Sequence, residues 1–260
     1  MSPSKLSQAL VGEYDNFQQC WQENTEEEIH RVNVSKRHKH IHIAIEAASK
    51  ENEYSLVMYE GRDSTNVIRE ESWELKPAGE KWMLLAKVDG KEELDSIEVK
   101  WVDAKWILER GNEIWTFHPD SLSIKNLDQE TDWEGDHQLL TCRFFSGWIT
   151  LALSDDPEDT YRMGDLRTHD QGGIIQLKME DGRPTEYSAE ITQLVYGKTI
   201  SIMKLAIYKE DFAGIDYNSR SISYTWTNPK AKRIGINLRT ISSGWTLIEP
   251  GYLSSNNLNK

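Results

Sequence analysis

Residues Tyr54 to Leu75 read YSLVMYEGRDSTNVIREESWEL, a pattern that predicts two strands joined by a polar turn. Side chains of a strand alternate between the two faces of its sheet. In the second strand, one face therefore carries Val67, Arg69, Glu71, Trp73 and Leu75. Burying an unpaired ion on such an apolar face costs several kcal/mol. We expect Arg69 and Glu71 to be paired with other charges or to face a ligand.

The chain is rich in large aromatic residues although its hydrophobic content is modest. Ten Trp and ten Tyr occur in a chain of 260 residues, of which 38% are hydrophobic. Aromatic side chains bury large areas and have polar tips, which suits a barrel interior or a site for a planar ligand. For any single aromatic residue, an ordinary place in the core is the expected role.

The formal net charge of −13 excludes several classes of partner. An acidic chain repels nucleic-acid phosphates and anionic lipids, so we expect it to bind neither nucleic acid nor a membrane surface. No apolar run has the length needed to cross a bilayer, and the N-terminus lacks the apolar region of a secretory signal. Two cysteines, Cys20 and Cys142, match no zinc or redox spacing. These features predict a cytoplasmic protein.

The order of predicted elements indicates one mainly β domain. Apolar residues recur at helical intervals over residues 4–28 and predict an N-terminal α-helix, within which Gly12 is a candidate point of interruption. Short strand patterns separated by turns follow, and a long polar loop is expected near 121–138. Arg110-Gly111-Asn112 is a candidate hairpin turn. Many short strands after one helix favour an antiparallel, lipocalin-like β-barrel that comprises residues 1–260.

Three histidines alternate in the run His38-Lys39-His40-Ile41-His42, so a strand would place their rings on one face. Three imidazoles on one face could bind zinc, copper or iron. Rings two residues apart on one strand are, however, separated by roughly 7 Å and converge poorly. A row of histidines that is solvated or lies at the rim of the sheet is the favoured interpretation, and no metal is expected. A metal-dependent enzyme is the competing hypothesis.

Two charged pairs, Arg62 with Asp63 and Arg69 with Glu71, form a candidate binding cluster. They could be surface salt bridges, each of which contributes about 0–1 kcal/mol. Alternatively, the arginines could bind ligand carboxylates through paired hydrogen bonds while an acid contacts ligand nitrogens. The sequence pattern favours neither interpretation over the other.

The run Leu10-Val11-Gly12-Glu13-Tyr14-Asp15-Asn16-Phe17-Gln18-Gln19 resembles the Leu-x-Gly-Glu-Phe/Tyr-Ser/Asp-Asn-x-x-Gln opening of the CpcT/CpeT-type phycobiliprotein chromophore lyases. The segment His40-Ile41-His42 resembles the first strand of that family. The segment Tyr54–Tyr59 and the residues Gly61, Asp63 and Arg69 resemble its next hairpin. Where the family usually has Pro-Tyr-Arg-Gln-Arg, this chain has Val67-Ile68-Arg69-Glu70-Glu71, so only Arg69 matches.

The resemblance implies a calyx-shaped antiparallel barrel, often a homodimer, that binds an open-chain tetrapyrrole such as phycocyanobilin or phycoerythrobilin. Such a lyase delivers the bilin to a cysteine of its partner, a phycobiliprotein β subunit, where a thioether bond forms. The ligand-binding residues would be His40, Tyr59, Arg62, Arg69 and Trp73, and the catalytic residues would be Asp63 and Glu71. The alternative is a non-catalytic lipocalin-like protein that binds another hydrophobic ligand or a protein partner.

Overall fold

A computed structural model describes residues 3–30, 37–62, 66–79, 81–88, 94–127, 136–152, 160–196, 200–210 and 214–248. The chain divides into two compact units, Met1–Cys142 and Arg143–Lys260. The expectation of a single barrel domain over residues 1–260 is therefore corrected. The barrel closes within the first unit, and the second unit has sheets of its own.

The described residues of the first unit form two helices and ten strands. Their bounds are α1 Pro3–Leu10, β1 Gly12–Asp15, α2 Phe17–His30, β2 Ile41–Ala47, β3 Glu53–Glu60, β4 Asn66–Ala78, β5 Lys81–Val88, β6 Leu94–Val102, β7 Lys105–Arg110, β8 Glu113–Phe117, β9 Ser121–Asn126 and β10 Asp136–Thr141. Strands β2 to β10 each pair with the next in antiparallel order, and β1 closes the barrel by pairing with both β10 and β2. The predicted fold class, a mainly β protein with a closed antiparallel barrel, is confirmed.

The N-terminal helix expected over residues 4–28 is interrupted by strand β1. Gly12 to Asp15 pair with β2, and Tyr14 and Asp15 also pair with β10, so the second half of this short strand has hydrogen-bonding partners on both sides. The carboxylate of Asp15 then accepts a hydrogen bond from the amide of Phe17, the first residue of α2. A side chain of this type at a helix start satisfies an amide that has no partner within the helix.

The loop expected near 121–138 also contains regular structure. Ser121–Asn126 forms β9, and Asp136 begins β10, which pairs with it. Leu122 and Ile124 are fully buried in the barrel. Because these two apolar residues occupy alternate positions, an otherwise polar segment forms a strand with one buried face. The rest of the predicted loop, residues 128–135, lies outside the described residues.

The barrel interior holds one continuous apolar core, and α1 packs against it at one end. Leu6 and Leu10 of α1 are buried together with barrel residues such as Phe117. The hydroxyl of Tyr14 donates to the carbonyl oxygens of Ala9 and Leu10 and so fixes α1 to β1. Because neighbouring strands are antiparallel, β4, β6 and β8 all begin at the opposite end of the barrel.

The described part of the second unit forms two four-stranded antiparallel sheets. The strands are β11 Phe144–Ala152, β12 Thr160–His169, β13 Gln171–Lys178, β14 Pro184–Tyr196, β15 Ile200–Tyr208, β16 Ser223–Thr227, β17 Arg233–Asn237 and β18 Ile241–Leu247. One sheet has the order β12-β11-β18-β17 and the other β13-β14-β15-β16. Phe145 and Trp245 of the first sheet share a core with Leu205 of the second, so the two sheets pack face to face.

Gly147 in β11 lies beneath the ring of Trp245, which is almost fully buried. A Cβ at Gly147 would lie 2.6 Å from Cε3 of Trp245 and 2.7 Å from the carbonyl oxygen of Gly244. We therefore expect Gly147→Ala to destabilise the protein by about 1–3 kcal/mol, since a packed core cannot absorb the extra methyl group. Denaturant unfolding of the variant measures this loss.

Gly164→Ala in the neighbouring strand β12 is the matched control. A Cβ at Gly164 would meet no atom within 4 Å, so this substitution should leave the unfolding midpoint unchanged or raise it slightly. Equal unfolding midpoints for the two variants would contradict the expectation that Trp245 leaves no room for a methyl group at Gly147.

Candidate functional site

A network of charged side chains lies on the inner face of the barrel, near the end opposite α1. Its centre is Glu71 on β4, whose side chain is fully buried. Trp73 and Leu75 follow on the same face and are also buried, which confirms the predicted alternation from Arg69 to Leu75. The inner face of β4 therefore changes from charged to apolar within a few residues.

The carboxylate of Glu71 accepts hydrogen bonds from three side chains. Arg69 donates through Nε, and the indole Nε1 of Trp73 donates to Oε2 at 2.6 Å. Nη1 of Arg110 on β7 donates to both oxygens of Glu71, at 2.5 and 2.7 Å. Glu71 is thus a buried counter-ion shared by two arginines.

A second carboxylate on β8 repeats this arrangement. Glu113 accepts two hydrogen bonds from Nη1 of Arg69, at 3.0 and 3.1 Å, and one from Nε1 of Trp115 at 2.9 Å. In both strands a tryptophan follows the glutamate by two positions and donates to it. The two indole rings meet edge to face with centroids 5.9 Å apart. Arg69 therefore joins two Glu-x-Trp units across the barrel.

The outer part of the network is more exposed to solvent. Arg110 donates from Nε and Nη2 to Oδ2 of Asp95, at 3.0 and 2.6 Å. The side chain of Asp95 is 55% exposed and that of Glu113 is 22% exposed, whereas that of Glu71 is completely buried. Asp95 and Glu113 are thus the carboxylates that an incoming anion could displace at least cost.

The electrostatic balance keeps Glu71 ionised. Burial alone would raise its pKa, but the charge of Arg69, together with the hydrogen bonds and charge of Arg110, outweighs burial. The pKa of Glu71 is therefore held below its usual value. The same contacts raise the pKa of Arg110 against the opposing effect of burial. Glu71 can hold the arginines in place but is a poor proton donor at neutral pH.

The structure brings together three of the predicted site residues, Arg69, Glu71 and Trp73. It places His40, Tyr59 and Arg62 elsewhere. Tyr59 pairs with His42 on the outer face of the barrel, and the guanidinium of Arg62 stacks 4.8 Å from the ring centroid of Phe17 in α2. Asp63 lies outside the described residues. The predicted cluster is therefore divided between the two faces of the barrel wall.

A β-bulge explains why Val67 does not share the face of Arg69. Met58 is opposite Arg69 and Tyr59 is opposite Val67, so Ile68 is an extra residue in β4. Cross-strand neighbours share a face, which puts Val67 on the outer face with Tyr59. Val67 is 44% exposed. The expectation that Val67 faces inward was wrong because strict alternation ignores such bulges.

The side chains of His38, His40 and His42 are only 16%, 7% and 5% exposed, so the expectation of a solvated row was wrong. Nε2 of His40 donates to Oδ1 of Asp15 at 2.7 Å, and Nδ1 of His42 donates to Oδ2 of the same carboxylate at 3.0 Å. Nε2 of His42 also donates to Glu13 at 3.0 Å. His38 contacts a different acid, Glu23. His40 and His42 therefore share the carboxylate of Asp15, whereas His38 pairs with Glu23.

Burial and pairing set the charges of this histidine cluster. Burial alone would raise the pKa of Asp15, but His40 and His42 hold it far below its usual value. Burial would lower the pKa of His42, but Asp15 and Glu13 raise it to about 9. For His137 on β10, burial and the charge of His38 together lower the pKa to about 4. His42 is thus charged and His137 neutral at pH 7.

Sequence reasoning missed Arg110, Glu113 and Trp115, although the signal was present. The segment Glu113-Ile114-Trp115 repeats the spacing of Glu71-Ser72-Trp73, and Arg110 stands at the turn that was correctly predicted between β7 and β8. Comparing the inward residues of all strands would have found the repeat. The partnership between β4 and β8 also required knowledge of the closed barrel.

We expect Glu71→Ala to destabilise the barrel by about 3–5 kcal/mol, because it leaves Arg69 and Arg110 buried without their shared carboxylate. Unfolding in urea, followed by circular dichroism, measures the change. Glu98→Ala is the matched control, since Glu98 forms an exposed ion pair with Lys81. A Glu71→Ala midpoint equal to that of Glu98→Ala would contradict the assignment of Glu71 as the central counter-ion.

The pKa of His42 predicts a loss of stability at alkaline pH. The pKa is about 9 in the folded protein and about 6.5 in an unfolded chain. The stabilising contribution is therefore complete below about 6.5 and is lost as pH rises towards 9. Urea unfolding between these limits should show a declining free energy of unfolding in the wild type and a flatter profile in His42→Gln. Parallel profiles for the two proteins would refute this role, and His118→Gln provides a control.

Comparison of the chain with protein-family models, curated proteins and solved structures finds no significant match. Among the described residues, no helix combines the length and apolar character required to cross a bilayer.

Because the comparisons give no match, the resemblance of the N-terminal third to the chromophore lyases depends on the residues of this chain alone. Within the opening run, Asn16 donates to the carbonyl of Lys39 and accepts from the amide of Ile41, and Gln19 contacts the backbone of β10. The polar residues of the run thus connect β1 and α2 to their neighbours in the barrel.

Proposed function

We propose that the barrel binds an open-chain tetrapyrrole at the end opposite α1 and delivers it, as a lyase or chaperone, to a cysteine of a phycobiliprotein β subunit. The observation that carries the proposal is the pair of arginines, Arg69 and Arg110, on an inner face beside Trp73 and Trp115. The resemblance of residues 10–19 to the chromophore lyases supports the choice of ligand.

The chemistry of a bilin matches the components of this network. A bilin is a flat, largely apolar molecule with two propionates, so it requires aromatic walls and cationic partners. Two arginines lie within reach of one carboxylate, and each also contacts a more exposed acid, Glu113 or Asp95. We expect the propionates to replace these two acids while Glu71 keeps the guanidinium groups in position.

The attachment step needs no nucleophile from this chain. The thiolate of the acceptor cysteine would add to the ring-A side chain of the bilin, while the barrel orients the bilin and excludes water. The lowered pKa of Glu71 favours a positioning role over proton donation. Glu71 stands where the family tends to have a second arginine, and Arg110 supplies a guanidinium from another strand.

The alternative function is a non-catalytic binding protein of the same architecture. The observation that favours it is the neutralisation of both arginines by carboxylates of the chain itself. Such a network could serve only to fix the register of the barrel wall, with another hydrophobic ligand or a protein as the partner. Binding and attachment must therefore be tested separately.

We expect phycocyanobilin to bind the purified protein with a red shift and induced circular dichroism. Arg69→Ala should weaken binding by roughly tenfold or more, because a charge-assisted hydrogen bond contributes about 1.5–3 kcal/mol. Asp95→Asn should strengthen binding, since it removes the acid that competes for Arg110. Arg183→Ala, which alters an exposed ion pair with Asp181 in the second unit, is the control.

An unchanged bilin spectrum at micromolar protein would reject the binding proposal. Binding that is insensitive to both Arg69→Ala and Asp95→Asn would assign the bilin to another site. The lyase step is measured with an apo β subunit, on which attached bilin appears as a zinc-fluorescent band. Spectral binding without this band would support the non-catalytic alternative.

A further inference from the structure

An open pocket lies on the outer face of the sheet β13-β14-β15-β16. Met203 and Leu205 of β15 face the core of the second unit, so Lys204 between them faces outward. Lys204 is directly opposite Trp226 of the edge strand β16, and Tyr224 projects from the same face of that strand. A cation and two aromatic side chains thus share one patch of the sheet.

The loop before β16 covers one part of this face and leaves the rest open. Ile215 of the loop packs on Ala206 and Tyr208 of β15. The uncovered part forms a pocket of about 550 Å³, lined by Tyr196, Ile202, Lys204, Arg220, Tyr224, Trp226 and two loop serines. This volume falls within the range of small-molecule sites, about 300–1,000 Å³.

The aromatic residues of the pocket are unusually accessible. Trp226 is 64% exposed and Tyr224 is 62% exposed, although large aromatic side chains are mostly buried in folded proteins. Burial, and to a smaller extent the neighbouring Tyr224, raise the pKa of Tyr196, so its hydroxyl remains a neutral donor at pH 7. Flat apolar surfaces with polar tips suit a planar ligand.

Among the described residues, Lys204 and Arg220 of the pocket differ from Arg69, Arg110 and Arg143, which pair with carboxylates. Arg69 and Arg143 each form an ion pair with a buried carboxylate, and Arg110 forms one with Asp95. Within the described ranges, Lys204 and Arg220 form none, and no described residue that lines the pocket is acidic. The ammonium group of Lys204 lies 5.6 Å from the ring centroid of Tyr224.

Two further observations support an anionic ligand. The carboxylate of Asp216, in the same loop as the serines, does not line the pocket and accepts hydrogen bonds within the loop, from the amide of Asn218 and the hydroxyl of Ser219. The second unit also has 14 basic and 14 acidic residues, so it contributes nothing to the formal charge of −13. An anion approaching this unit is therefore not repelled by an excess of like charge on it.

From this combination we infer that the second unit binds a small planar anion, an aromatic or conjugated carboxylate. Its ring system stacks on Tyr224 and Trp226, and its acid group pairs with Lys204 and Arg220. The inference is independent of the proposed bilin site, because every residue that carries it belongs to the second unit.

The test uses the full chain and two fluorescent probes, anionic 8-anilinonaphthalene-1-sulfonate and its uncharged analogue N-phenyl-1-naphthylamine. We expect Trp226→Ala to weaken the binding of both probes. Lys204→Met should lower the affinity for the anionic probe by roughly tenfold and leave that for the neutral probe unchanged, because only the anion pairs with the ammonium group. Trp101→Ala, at an exposed tryptophan of the first unit, is the control and should change neither affinity.

Three outcomes would overturn the inference. The first is that Trp226→Ala binds the anionic probe with unchanged affinity. The second is that Lys204→Met loses affinity for both probes equally. The third is a wild-type dimer that Trp226→Ala converts to a monomer, because a second copy of the chain would then cover the face. Far-UV circular dichroism of each variant verifies that the fold is retained.

Discussion

The carboxylate of Asp15 is the contact on which the barrel depends. Strand β1 has only four residues, yet it must join β10 and β2 to close the barrel. Asp15 stabilises this closure by accepting hydrogen bonds from His40, from His42 and from the first amide of α2. A buried carboxylate without such partners would cost several kcal/mol. The closing strand, the covering helix and the histidine row are therefore coupled through one side chain.

Closure of the barrel in turn assembles the charged network inside it. Arg69 and Glu113 are far apart in sequence and meet only because β4 and β8 belong to one closed barrel. Three carboxylates, those of Glu71, Asp95 and Glu113, surround two guanidinium groups, so the network carries an excess of one negative charge. An anionic ligand can therefore enter favourably only by exchange with an acid already present.

Much of the first unit could be predicted from local patterns. Alternation along β4 predicted the inward positions of Arg69, Glu71 and Trp73, and the turn at Gly111 was found from its composition. Strand β1 could not be found in this way, because four residues between two helices show no period. Nor did local patterns reveal that His42 would be buried between Asp15 and Glu13, since those contacts join separate strands. The second unit was predicted only as a series of strands, because the division of the chain depends on long-range pairing.

The bulge at Ile68 has a consequence for how this hairpin is aligned with other barrels. On one side of the extra residue, odd-numbered positions face inward, while on the other side Val67 faces outward. An ungapped alignment through the hairpin would equate inward positions of a regular strand with outward positions of this one. The segment Val67-Ile68 thus differs from a related sequence in geometry as well as in composition, and a one-residue gap is needed before the substitutions there can be interpreted.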